Sequence, residues 1–279
     1  MQPFFSIIIP CYNHGAFLRR AIASIEKIQG ISYEIIIVDD GSGDSNTIRE
    51  LELLKSEGYI VIQQNNSGPS AARNNGIRSA NGKYIVPLDA DDILRSEYVT
   101  KAKEVFESNP QISIVYSDFQ QFGDNKDINK YKEFCLQELL LTNCIGACAI
   151  YRKEAWEKVG GYDERLWKSL GWEDWDLWLN FAYHNLVFKY LSMIGYDYNY
   201  SNNSRERSFL KDKSKINNTI IYFEKKYEDF YSPDIIQKFL LHQVRLNPIG
   251  MIFKIIIATF YPKYYNKVVS KGKIRKYMF

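Results

Sequence analysis

Cysteine and histidine are scarce in this chain, and the scarcity removes whole classes of chemistry. The 279 residues include four cysteines (Cys11, Cys135, Cys144 and Cys148) and three histidines. There is no CxxC spacing and no paired histidine, which argues against a zinc site and for reduced thiols in the cytosol rather than disulfides. His14 sits in an Asn-His-Gly turn, and His184 and His242 carry no pattern. A basic leader followed by a long apolar stretch is missing, so no signal peptide is expected. The longest late apolar run, Pro248 to Pro262, is interrupted by Lys254 and falls short of the roughly 20 residues of a membrane span. Internal repeats and low-complexity segments are lacking too.

What is present is an ordinary globular composition, 46% hydrophobic and 25% charged, with enough apolar material for a core. The net charge of +3 hides an asymmetry: nine bases and no acid follow Asp234, which leaves the first 234 residues at −6. A basic tail on an acidic body suits an anionic membrane surface better than nucleic acid. Interleaved aromatic and apolar residues (Phe253, Ile255 to Ile257, Phe260, Tyr261, Tyr264, Tyr265) give that tail the character of an interfacial amphipathic helix, although they equally suit a helix packed on the body.

Strand-like and helix-like segments alternate through the first half. Strands are expected at 4–10, 33–38, 59–64, 83–88 and 113–118, and helices at 16–28, 45–57, 70–79 and 96–108. Repeated βα units of this length predict an α/β fold with a mostly parallel, doubly wound sheet. Further on, 142–151 reads as extended, 153–159 as a short helix closed by Gly160-Gly161, and 173–184 as a helix with Asp174, Trp178 and Phe181 on one face. We expect a catalytic domain over 1–204, with 205–279 as a helical, basic C-terminal extension.

The segment Asp89-Ala90-Asp91-Asp92 follows the apolar run Lys83 to Leu88, so it concentrates negative charge at the carboxyl edge of a buried strand. Open α/β sheets bind ligands at that edge. Carboxylates crowded there repel one another unless a hard cation sits among them, and Mg²⁺ or Mn²⁺ bridging to a diphosphate meets the need. The competing reading is an acidic helix start.

Four further segments accompany this one: Ile9-Pro10-Cys11-Tyr12-Asn13, Val38-Asp39-Asp40-Gly41-Ser42, the run Asn66 to Gly76 containing Arg73 and Asn74, and Gly171-Trp172-Glu173-Asp174-Trp175. In order and spacing, over about residues 4–200, they resemble the family 2 glycosyltransferases, inverting enzymes of GT-A fold that use nucleotide-activated sugars. The resemblance implies nucleotide binding by Pro10, Tyr12, Asn13, Asp39, Asp40, Arg73 and Asp89. Tyr12 would stack on the base and Asp40 accept from the uracil ring. Asp39 either binds the same nucleoside or stabilises the turn, and Arg73 and Asn74 suit diphosphate or base. Asp91 is assigned to the metal, with Asp89 at the ribose or in the metal shell and Asp92 turned toward a helix cap. Asp174 would be the general base that deprotonates the acceptor, Trp172 would face donor or acceptor sugar, Glu173 would bind sugar hydroxyls or orient the loop, and Trp175 and Trp178 belong to the core.

The resemblance implies a Mn²⁺- or Mg²⁺-dependent transfer from a nucleotide sugar, with UDP favoured, to a glycan or lipid-linked acceptor in surface polysaccharide synthesis. With the basic tail, the resemblance leads us to expect a cytoplasmic setting, peripheral at the inner face of the membrane. A nucleotidyltransferase is the first alternative, but Pro10 to Gly15 offers one glycine and no lysine for a phosphate loop. A non-catalytic nucleotide-sugar-binding protein is the second, and the presence of Asp174 beside the metal carboxylates argues against it.

Overall fold

The computed structural model describes residues 2–167, 171–202 and 204–231. The tail read as a membrane-seeking helix lies outside the described residues. Among the described residues nine strands form one sheet: β1 (Phe5–Cys11), β2 (Tyr33–Asp39), β3 (Ile60–Gln63), β4 (Tyr84–Pro87), β5 (Ile93–Leu94), β6 (Ile112–Gly123), β7 (Ile128–Asn129), β8 (Ile150–Arg152) and β9 (Val187–Tyr200). The order is β3-β2-β1-β4-β8-β6-β9-β5, with β7 paired to β6. Strands β3, β2, β1 and β4 run parallel, as do β6 and β9, while β8 is antiparallel to both of its neighbours.

The central strands are apolar on both faces because both faces are covered. Side chains alternate across a strand, so Ile7, Ile9, Ile35, Ile37 and Val86 enter one core layer and Ile8, Ile36, Val38 and Ile85 the other. Helix α1 (Gly15–Ile25) presents Leu18, Ala21, Ile22 and Ile25 to the first layer, a stripe at helical spacing with Phe17 at its margin. Beside it lie α2 (Ser45–Ser56), capped by the Asp44 carboxylate accepting from Thr47 N at 2.8 Å, and the sheet-packed α4 (Ser96–Ser108). Helix α3 (Pro69–Ser79) lies on the opposite face. It starts at Gly68, whose φ of +89° and packing against the Trp167 ring, where a Cβ would stand, leave no room for another residue. The remaining helices are α5 (Leu136–Leu141), α6 (Lys153–Val159), α7 (Glu173–Tyr183), α8 (Arg205–Lys211) and α9 (Lys213–Lys226).

Two features depart from the sequence reading. The stretch 142–151 is extended only over β8, and the small residues before it form turns. Strand β9, 14 residues long and unanticipated, pairs with β6 along its length through irregular register near Asp118. Within the described part of the extension, α9 is fastened to α7 by a buried ion triad. Lys226 Nζ donates to both oxygens of the fully buried Asp176 (2.8 and 2.7 Å) and to Asp163 (2.9 Å), while Phe223 and Tyr227 enter the core.

Candidate active site

The chain order reverses between β1 and β4, so the loops after β1, β2 and β4 open into one crevice at the carboxyl edge. Tyr12 follows β1 with its side chain 47% exposed, which leaves a ring face available for stacking. Pro10 is paired within β1 opposite Val38. Asn13, at φ 56°, works as a staple: its Oδ1 accepts from Gly43 N and Asp44 N (2.9 and 3.0 Å), tying the β1 loop to the β2 loop.

The two aspartates after β2 behave differently. Asp40, the residue expected to accept from uracil, is 4% exposed and takes hydrogen bonds from Gln64 Nε2, Ser67 N and Gly68 N, each at 2.8 Å. It therefore organises the turn into α3. Asp39 is as buried, at 5% exposed, but accepts one hydrogen bond among the described residues, from Ser42 N at 2.9 Å, and so retains acceptor capacity. Asn74 is likewise committed internally, bonded to Tyr162, Trp156 and Glu164.

The acidic cluster splits three ways. Asp92 is buried, and its Oδ1 accepts from Asn199 N at 2.8 Å. Asp91 receives the Asn199 side-chain amide at 3.2 Å, while burial and the charge of Asp89 push its pKa up, against the influence of nearby His14. Asp89 bonds Arg73 Nη2 at 2.6 Å yet keeps its side chain 35% exposed. Among the described residues no three His, Cys, Asp or Glu side chains converge as a metal cage. Two neighbouring carboxylates, Asp89 and Asp91, nevertheless fit Mg²⁺ or Mn²⁺, which takes one or two protein carboxylates and completes its shell with substrate phosphates and water.

Arg73, expected at the nucleotide, is instead a buried bridge. It is 4% exposed, with Nη2 on Asp89 and Nη1 on Glu173 Oε1 at 3.1 Å, joining the β4 edge to the start of α7. Arg205 of α8 completes the chain by donating to both Glu173 oxygens (2.7 and 2.8 Å). Burial raises the proton affinity of Glu173, but the Arg205 and Arg73 guanidiniums outweigh it and hold the pKa at about 2. The adjacent Asp174 goes the other way: burial first, and the Glu173 charge second, push it to about 6 despite hydrogen bonds from Asn143 Nδ2 and Trp175 N, both at 2.8 Å. Adjacent carboxyls held about four pH units apart by their surroundings are a familiar way to divide roles in a site. Trp172 caps α7 in the left-handed region at φ 59°, a conformation costing a bulky residue roughly 1–3 kcal/mol, with its ring edge-on to Trp175 and Phe209.

A cavity of about 640 Å³ gathers Arg73, Asp89, Trp172, Glu173 and Asp174 on one wall and Arg205, Arg207, Phe209 and Lys215 of the α8–α9 corner on another. Pro10, Tyr12, Asn13, Asp39, Asp40 and Asp91 lie outside this lining. A second cavity of about 320 Å³ shares Asn129, Tyr131 and Asn143 with it. Three residues reach the site that sequence reasoning passed over: Asn143, Asn199 and Arg205. For Asn199 a signal existed in the alternating Tyr196, Tyr198 and Tyr200, a period-two aromatic pattern that marks a strand.

A crevice at the carboxyl edge of a parallel sheet, an acidic pair at its switch point and a raised carboxyl across a cavity fit a glycosyltransferase of GT-A type. Residues 6–160 match the profile described as Glycosyl transferase family 2, and the chain belongs to that family. Residues 136–203 match a profile described as the N-terminal domain of galactosyltransferase. The glycosyltransferase GlyG of Streptococcus pneumoniae is 33% identical over 149 residues, half of this chain and 48% of that protein. The UDP-Glc:alpha-D-GlcNAc-diphosphoundecaprenol beta-1,3-glucosyltransferase WfgD of Escherichia coli is 27% identical over 146 residues, covering 51% of this chain and 57% of WfgD. The chain thus spans about half the length of such curated relatives. In fold it is similar to the mannosyltransferase PcManGT of Pyrobaculum calidifontis, solved with GDP-Man and Mn²⁺, at a TM-score of 0.63 and 14% identity over 98% of this chain and 80% of that one.

Proposed function

We propose that this family 2 glycosyltransferase moves a sugar, with inversion, from a UDP-sugar to a hydroxyl of a lipid-linked glycan, in the synthesis of a surface polysaccharide. The observation that carries the reading is Asp174, a carboxyl poised at about 6 in the same cavity as Asp89. Near neutral pH it is ionised yet basic enough to take the acceptor proton, the kind of match that supplies about 10²–10⁴-fold in rate. The acceptor oxygen attacks the anomeric carbon as its proton passes to Asp174, and the bond to the diphosphate breaks on the opposite face. Asp91, with Asp89 beside it, would hold Mn²⁺ or Mg²⁺, which supplies Lewis-acid stabilisation of the departing diphosphate.

Tyr12 stacks on the base, and Asp39 rather than Asp40 accepts from its N–H. Asn13 and Asp40 hold the loops that present them, Trp172 faces the sugars, and Glu173 with Arg73 sets the position and charge of Asp174. UDP and a lipid-linked acceptor are supported by the name of WfgD, and a divalent metal by the Mn²⁺ bound to PcManGT. Among the described residues no helix is long and apolar enough to cross a membrane. Peripheral attachment at the cytoplasmic face of the membrane rests on the basic tail, and loss of anionic-liposome binding on truncation after residue 246 tests it.

The chemistry is tested by Mn²⁺-dependent turnover of UDP-, GDP- and dTDP-sugars by the wild type, Asp91→Ala and Asp174→Ala. One preferred donor, with turnover abolished by Asp91→Ala, is expected. No binding or hydrolysis of any donor would sink the transferase reading and favour a binding protein on the same fold.

A further inference from the structure

The charges lining the main cavity do not balance internally: among the described residues neither Arg207 nor Lys215 has a carboxylate partner, and Arg207 is the one whose head group a ring contact fixes. Arg73 is paired with Asp89 and Glu173, and Arg205 with Glu173. Arg207 lines the same cavity and has no carboxylate partner among the described residues; its guanidinium lies over the Tyr200 ring, 4.4 Å from the centroid. Such stacking fixes the plane of the group while leaving its N–H donors unspent.

The position of the stack decides what those donors meet. Tyr200 ends β9 immediately after Asn199, whose amide and backbone N–H hold Asp91 and Asp92. Side chains alternate along β9, so Tyr200 faces the cavity with Tyr196 and Tyr198 while the Asn199 amide meets Asp91 on the other face. Arg207 thus shares its cavity with Asp89, the acid of the β4 edge that lines it, and Asp174 is engaged with Asn143 on the side shared with the second cavity. A nucleoside diphosphate at that edge carries more negative charge than one divalent cation cancels, and a planar guanidinium suits two phosphate oxygens. We propose that Arg207 is a phosphate-binding residue for the leaving nucleoside diphosphate, held in place by Tyr200, and that it stabilises the charge that grows as the glycosidic bond breaks. The inference rests on the donor reading above and adds the residue that reads the β-phosphate.

Calorimetric titration of UDP, UMP and uridine in the presence of Mn²⁺ tests it, using wild type, Arg207→Ala and Arg207→Lys, each checked for an unchanged melting temperature. The loss of a charge-assisted contact predicts UDP binding weakened roughly tenfold to a hundredfold in Arg207→Ala, with uridine unaffected and a partial recovery in Arg207→Lys. Equal UDP affinity in wild type and Arg207→Ala overturns the proposal, as does a parallel loss of UDP and uridine, which marks a role in shaping the fold. Wild type that binds none of the three ligands overturns the donor reading itself, and this inference with it.

Discussion

Replacing Asp174 by Asn should abolish transfer and at the same time make the protein more stable. The folded state holds this carboxyl at about 6 instead of its ordinary 3.8, with burial and Glu173 as the causes. At about 1.36 kcal/mol per pH unit, keeping Asp174 ionised at neutral pH costs the folded state about 3 kcal/mol. Contact with cavity solvent screens part of this, leaving about 1–3 kcal/mol to be recovered. Asn keeps the shape and can donate to Asn143 Oδ1, a buried acceptor with no partner in the wild type.

The sign follows from the raised value. Below about pH 4 the group is protonated in both folded and unfolded chains and the cost vanishes; it grows between pH 4 and 6 and is complete above 6. Thermal unfolding of wild type and Asp174→Asn across pH 4 to 8 should therefore show a gap in Tm of about 3–8 °C in favour of the variant at pH 7.5, closing toward pH 4. Transfer should fall at least about 10²-fold. A variant less stable than wild type, or a gap independent of pH, would refute the argument that the site holds this carboxyl up. Activity within tenfold of wild type would remove Asp174 as the base.

Two further outcomes follow from the same electrostatics. Glu173→Gln leaves the buried Arg73 short of a counter-charge and should cost about 3 kcal/mol near neutral pH, since the low pKa of Glu173 stabilises the fold above pH 4.5 and is lost as pH falls through 2. It should also move the acid limb of the pH–rate profile below 6, because the charge that raises Asp174 is gone; an unmoved limb counts against the coupling. Lys226→Met leaves Asp176 buried without its cation and should lower stability by about 3 kcal/mol in a denaturant titration, whereas a loss under about 1 kcal/mol would show that α9 is not fastened by this triad.

The sequence alone determined the βα alternation of the first half, the boundaries of α4 and α6, and the placing of acids and aromatics at strand ends, because these follow from local period and turn chemistry. It also singled out Asp89, Asp91 and Asp174, since carboxylates stand out wherever a strand or helix begins or ends. Strand β9 escaped because its half-exposed face mixes polar and aromatic residues, and its pairing with β6 spans more than 70 positions. Which member of Asp39-Asp40 keeps an acceptor, and that Arg73 bridges residues 16 and 100 positions away, were decided only by the tertiary structure. A residue type states how many hydrogen bonds a side chain can make; the neighbours the fold brings to it decide which remain for a ligand.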